Sequence, residues 1–96
     1  MAVEVRVPTV LRKHTGGSKV VEAHGATVRA VLEELEERYP GLRSELFDAS
    51  GALRQFVNIY VNDEDIRYLA KLETRVNEGD VIAILPAVAG GASAAP

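Results

Sequence analysis

Valines and charged residues alternate through Val3-Glu4-Val5-Arg6-Val7, the period-two pattern of a strand with one face buried and the other in water. Pro8 ends it, because proline has no N–H to give to a ladder. Thr15-Gly16-Gly17-Ser18 reads as a turn and Lys19-Val20-Val21-Glu22 as a returning strand, so the chain opens as a hairpin with a long loop. Lys13 and His14 read as solvated residues of that loop. The period then changes. Val28, Val31, Leu32, Leu35 and Tyr39 recur at three- and four-residue spacing, which gathers them into one stripe along a helix. Thr27 stands where it can cap the first free N–H groups, and Pro40-Gly41 forces the end. Arg29, Glu33, Glu34, Glu36, Glu37 and Arg38 fall on the other face, where glutamates solvate a helix and pair with neighbours rather than form a catalytic cluster.

Leu42, Leu46 and Phe47 suggest a short helical turn at the domain's edge, and Asp48-Ala49-Ser50-Gly51 a loop. Phe56-Val57-Asn58-Ile59-Tyr60-Val61 is a strand rich in β-branched and aromatic residues. Val57, Ile59 and Val61 share one face; Phe56, Asn58 and Tyr60 share the other. Asn62-Asp63-Glu64-Asp65 is a polar turn. Ile66 and Leu69 are expected to anchor the excursion after it, and Leu72, Thr74 and Val76 to form a short edge segment. Asn77-Glu78-Gly79-Asp80 is a tight turn before the last strand, Val81-Ile82-Ala83-Ile84-Leu85. That strand carries no charge, which suits a central place in a sheet. The order predicts an α+β domain, a mixed sheet with one long helix across one face. A β-grasp topology fits it, and periodicity alone does not separate this from other small α+β arrangements.

Ninety-six residues allow one domain with one core, and a chain 47% hydrophobic and 26% charged belongs with ordinary globular domains. A net charge of −3 argues against a nucleic-acid binder that works by neutralising phosphates. The absence of cysteine excludes disulfides, thiolate metal sites and a cysteine nucleophile. No apolar run is long enough to span a bilayer, so no membrane partner is expected and the expected location is cytoplasmic. His14 and His24 fall in predicted loops without a nucleophile or ligand set beside them, which disfavours a small hydrolase or a metal site.

Beyond Leu85-Pro86 the character changes again. Ala87 to Pro96 has no charge, no large side chain and no period. The expected organisation is a domain over residues 1–87 and a flexible arm over 88–96. Simple terminal disorder is the commoner meaning of such a stretch. Gly90-Gly91 gives it another, since two glycines can run through a channel too narrow for a Cβ.

With these segments in hand, the chain resembles a known family. Phe56 to Asp65, Glu78-Gly79-Asp80-Val81 and Ile84-Leu85-Pro86-Ala87-Val88-Ala89-Gly90-Gly91 resemble the ubiquitin-like sulfur-carrier proteins. Pro8-Thr9-Val10-Leu11-Arg12 and His14-Thr15-Gly16-Gly17 strengthen the likeness to the actinobacterial carriers that serve cysteine synthesis. The resemblance implies a β-grasp fold and a carrier rather than an enzyme. It implies that Gly91 is the residue adenylated and converted to a thiocarboxylate, with Gly90, Ala89 and Val88 lying in the partners' channels. No cofactor is expected on the chain itself; ATP and PLP belong to the partners. Those are a ubiquitin-activating-like adenylyltransferase and sulfurtransferase, a PLP-dependent cysteine synthase or another sulfur-accepting synthase, and a zinc metalloprotease.

Five residues follow Gly91 here, so its carbonyl is an amide until the bond to Ala92 is cut. A proform is expected, with Gly91 and Ala92 flanking the cleavage site. Partner docking is expected on the open side of the sheet, at Phe56, Asn58 and Tyr60, with Ile82 or Ile84 on the next strand, and at Pro86 and Val88 beside the tail. The sequence leaves other acceptors open (thiamine, molybdopterin or a sulfur-containing secondary metabolite), as well as a plain ubiquitin-like interaction module in which the diglycine is incidental.

Overall fold

The alternating valines form β1 (Ala2–Arg6), which places Val3 and Val5 in the core and leaves Arg6 in water. It pairs antiparallel with β2 (Val20–His24), whose Val21 and Ala23 turn to the same inner face. The structure is a computed structural model and describes residues 2–54 and 57–86. The helix α1 (Val28–Arg38) begins at Thr27, whose Oγ1 accepts the Ala30 N–H at 3.1 Å, and ends at Tyr39, before Pro40. Its buried residues are Val28, Val31, Leu32 and Leu35, the stripe expected from spacing. A second helix, α2 (Leu42–Leu46), adds Leu42 and Leu46 to the same core.

Three more strands complete the sheet: β3 (Val57–Val61), β4 (Glu64–Asp65) and β5 (Val81–Pro86). Their order is β2-β1-β5-β3-β4. The uncharged β5 sits in the middle, parallel to β1 and antiparallel to β3. Asn62 and Asp63, with φ of 49° and 73°, make the tight β3–β4 turn in the left-handed region that asparagine and aspartate tolerate best after glycine. Asn62 also ties this turn to the start of β5, accepting the Val81 N–H at 3.0 Å and donating to Asp80 at 3.1 Å. Gly79 turns the chain into β5 at a φ of 86°, where a Cβ would be strained.

Some local expectations are corrected. The first loop is a 3-10 helix, Thr9–Thr15, with Leu11 and Thr15 buried. His14 is not a solvated loop residue. Its Nε2 lies 3.2 Å from a Glu45 carboxylate oxygen, and its ring packs against Gly41, the residue that opens α2. Leu69 is exposed, so the excursion after β4 is anchored by Ile66 alone of the expected pair. Leu72 lies in a 3-10 helix, Lys71–Glu73, rather than on a sheet edge. The segment after it does extend, but toward the start of α1: the Thr74 carbonyl accepts the Val28 N–H and the Ala26 carbonyl accepts the Val76 N–H, each at 3.0 Å. The first free N–H groups of a helix need acceptors, and this segment supplies one.

Candidate functional site

Interest centres on the carboxyl end of β5, from which the diglycine arm departs. Leu85 stands opposite Asn58 and Pro86 opposite Val57, so the arm departs from the end of the central strand beside β3, past the last pairing with β1 at Ala83. Phe56, Val88, Ala89, Gly90, Gly91 and Ala92 lie outside the described residues. The structure therefore defines the platform on which the expected chemistry rests.

Strand parity divides that platform. Ile59 faces Ile84 and Val61 faces Ile82, and all four point into the core with Val3 and Val5. Ile82 is 0% exposed and Ile84 1% exposed, so neither forms part of a docking face. That expectation is overturned because α1 covers the side of the sheet that both isoleucines occupy. Their neighbours take the open side. Asn58 and Tyr60, half-buried, lie there with Ala83 and Leu85 between them and β1. Leu85 is 47% exposed, and so is Val20, on the far side of Arg6. Leu85 and Val20 are exposed apolar residues of this face that sequence reasoning missed. The alternation of β5 contained the signal for Leu85, since placing Ile82 and Ile84 inward sends it outward.

Leu85 and Val20 line a shallow groove of about 240 Å³ whose rim is cationic, with Arg6, Arg12 and Lys19 around it. Arg12 is held by its Nε–H donating to the Val7 carbonyl at 3.1 Å, and Arg6 pairs with Glu4 at 3.0 Å. An apolar groove bordered by cations, next to the root of an arm, suits the capture of a partner with an acidic border.

The described residues hold little chemistry of their own. Among them no three His, Asp or Glu side chains gather in a way that would hold a metal. The perturbed carboxylates are structural. The Arg67 guanidinium bonded to Asp65 at 2.7 Å, helped by the Arg67 backbone N–H, holds that carboxyl below its ordinary 3.8. The Ser50 hydroxyl and the Ala52 and Ser50 N–H groups do the same to Asp48. The His24 N–H, donating at 2.7 Å, lowers Glu34. Each closes a turn or ties α1 to β2. No helix among the described residues is long and apolar enough to cross a membrane.

Comparison with known proteins agrees with this geometry. The chain matches the ThiS family over residues 5–91. It is 54% identical over 93 residues to the sulfur carrier protein CysO of Mycobacterium tuberculosis, covering 95% of this chain and 100% of that one. The crystal structure of the Amycolatopsis orientalis BexX/CysO complex contains a chain that superposes with a TM-score of 0.86 at 50% identity, covering 93% of this chain and 99% of the other. Crystalline CysO of Mycobacterium tuberculosis superposes at 0.85 with 52% identity, covering 90% and 99%. A β-grasp sheet with a family match that runs to Gly91 leaves one assignment: this chain belongs to the ThiS family of ubiquitin-like sulfur carriers.

Proposed function

We propose that the chain carries sulfur on the carboxylate of Gly91 for the synthesis of cysteine, after residues 92–96 have been removed. One observation carries the reading. The family match stops at Gly91, and the chain continues for five small or rigid, uncharged residues beyond it.

The chemistry follows from the carbonyl. Hydrolysis of the Gly91–Ala92 amide frees a carboxylate. One of its oxygens attacks the α-phosphorus of ATP on an activating partner, and pyrophosphate leaves. Hydrosulfide from a sulfur donor then attacks the acyl carbon, the C–O bond to AMP breaks, AMP leaves and a proton is lost, giving the thiocarboxylate. The partners supply every acid, base and metal in this sequence. What the carrier supplies is reach and slenderness. Five residues from Ala87 to Gly91 extend at most about 17 Å beyond β5, and the last two present no side chain to a channel wall. A sulfur held this way acts as a tethered reactant, with the rate advantage that positioning confers.

The activating enzyme, the PLP-dependent synthase that accepts the sulfur and the zinc protease that trims the end all have to recognise the same small body. The open face around Leu85, Val20, Asn58 and Tyr60 offers a shared grip, with Pro86 and Val88 next to it in sequence. That a CysO chain 50% identical to this one was crystallised in a complex with BexX supports such docking.

Mass spectrometry of the protein from its native cell tests the proposal. The expected species ends at Gly91 with one oxygen replaced by sulfur. A population that always retains Ala92 to Pro96 and never gains sulfur would refute it. Sulfur on Gly91 with no loss of labelled sulfur to cysteine in extracts would move the acceptor to thiamine, molybdopterin or a secondary metabolite.

A further inference from the structure

A second surface, on the other side of β3 from the arm's strand, is not used by any step above. β4 pairs with β3 only at Tyr60 and Val61, so beside Val57, Asn58 and Ile59 the sheet stops one strand short among the described residues. A cavity of about 520 Å³ lies there. Its walls are Leu53, Val57, Ile66 and Leu72, and three of these, Leu53, Val57 and Leu72, are apolar residues that pack on the core while staying partly open. Such a volume is within the range of built binding sites.

Two features restrict what the cavity takes. The first is charge. Arg54, Arg67 and Lys71 line it, against a single carboxylate, Asp65, which Arg67 already holds at 2.7 Å. Among the described residues neither Arg54 nor Lys71 forms a close ion pair; Arg54 gives its Nε–H to the Ser44 carbonyl at 2.9 Å and acts on the Asp48 carboxylate only at longer range. A cationic rim on a chain of net charge −3 is a local feature. The second is the strand edge. The Asn62 N–H donates to the Val81 carbonyl at 2.8 Å, which sets the alternation along β3. Asn58 and Tyr60 therefore turn their backbone groups toward β5, and Val57 and Ile59 turn theirs toward the cavity. The Val57 N–H is taken by the Arg54 carbonyl, and the Val57 carbonyl is the acceptor a neighbouring extended chain would meet.

We propose that this cavity binds an extended, acidic segment of a partner protein, with one bulky apolar side chain seated between Leu53, Val57, Ile66 and Leu72 and carboxylates on Arg54 and Lys71. The arm of this chain, Ala87 to Pro96, has no charged side chain to offer that rim. The site shares no lining residue with the groove at Leu85, though Asn58 borders both it and the open face, and the carrier chemistry can hold or fail independently of it.

The test is an amide-resolved NMR titration of the full chain with two capped heptapeptides. Both have three central leucines, flanked in one by aspartates and in the other by lysines. The acidic peptide should shift Leu53, Val57 and Leu72 saturably, and the basic one should not. Lys71→Glu, on a side chain with no hydrogen bond to lose among the described residues, should weaken the acidic peptide about fivefold with an unchanged melting temperature. Equal response to both peptides, or shifts confined to Val20 and Leu85, would overturn the proposal. So would tighter binding after removal of residues 87–96, which would make the arm the occupant. Concentration-dependent dimerisation abolished by Lys71→Glu would make it a second copy and overturn it equally.

Discussion

Leu85 and Ile84 are adjacent on β5 and face opposite sides of the sheet, and truncating each to alanine separates the proposed docking face from the core. Leu85 leaves 47% of its surface in water. A leucine exposes about 180 Å² when free, so about 85 Å² remains to be covered by a partner, of which alanine forfeits about 60 Å²; at 25 cal/mol per Å² the loss is about 1.5 kcal/mol, a factor of about ten in affinity. Folding should feel little of this, within about 1 kcal/mol, because the lost methyls are half in solvent already. Ile84→Ala should do the reverse. At 1% exposure it removes packed core and should cost about 2–5 kcal/mol in stability. Calorimetric titration against the proposed activating partner, beside guanidinium melts of both variants, reads the two quantities separately. If Leu85→Ala binds as tightly as the parent, or unfolds as easily as Ile84→Ala, the assignment of the open face as the docking face is wrong.

Other outcomes follow from the same structure. Gly41→Ala places a methyl against the His14 ring, 2.7 Å from Cε1, while a φ of −68° lets the backbone accept alanine, so a cost of about 1–3 kcal/mol is purely steric. Adding His14→Ala should recover part of it in a double-mutant cycle, and strict additivity in urea melts would refute the contact. The carboxyls of Asp65, Asp48 and Glu34 titrate lower folded than unfolded, so they favour the fold above their ordinary range and lose that contribution as pH falls through their depressed folded values. Melting temperature should therefore drop from about pH 4 downward, less steeply in Asp65→Asn than in the parent; parallel profiles would remove Asp65 from the account. Gly79→Ala, at a φ of 86°, should lower stability by about 1 kcal/mol in the same melts without altering partner affinity.

Much of this protein is written in local pattern. The valine alternation of β1, the stripe from Val28 to Leu35, the Thr27 cap and the uncharged β5 each follow from residues a few positions apart, because strand and helix periods are properties of the backbone. The family likeness, too, rested on contiguous blocks ending at Gly91. Where reasoning from the chain failed, the deciding contact was between residues far apart. His14 looked like a loop residue because Glu45 and Gly41, about 30 positions away, were invisible to it. Thr74 and Val76 looked like a sheet edge because their real partners, Val28 and Ala26, precede them by two α-helices and two sheet strands.

The proposed docking face shows the division most sharply. Alternation alone established that Ile82 and Ile84 lie on one side of β5 and Leu85 on the other. It could not say which side α1 would cover, because that depends on the register of β5 against β1 and β3 and on where the helix crosses. Burial is a property of the assembled layers, so it was the packing of α1 that put the isoleucines into the core and left Leu85, Val20 and their cationic border open to other proteins.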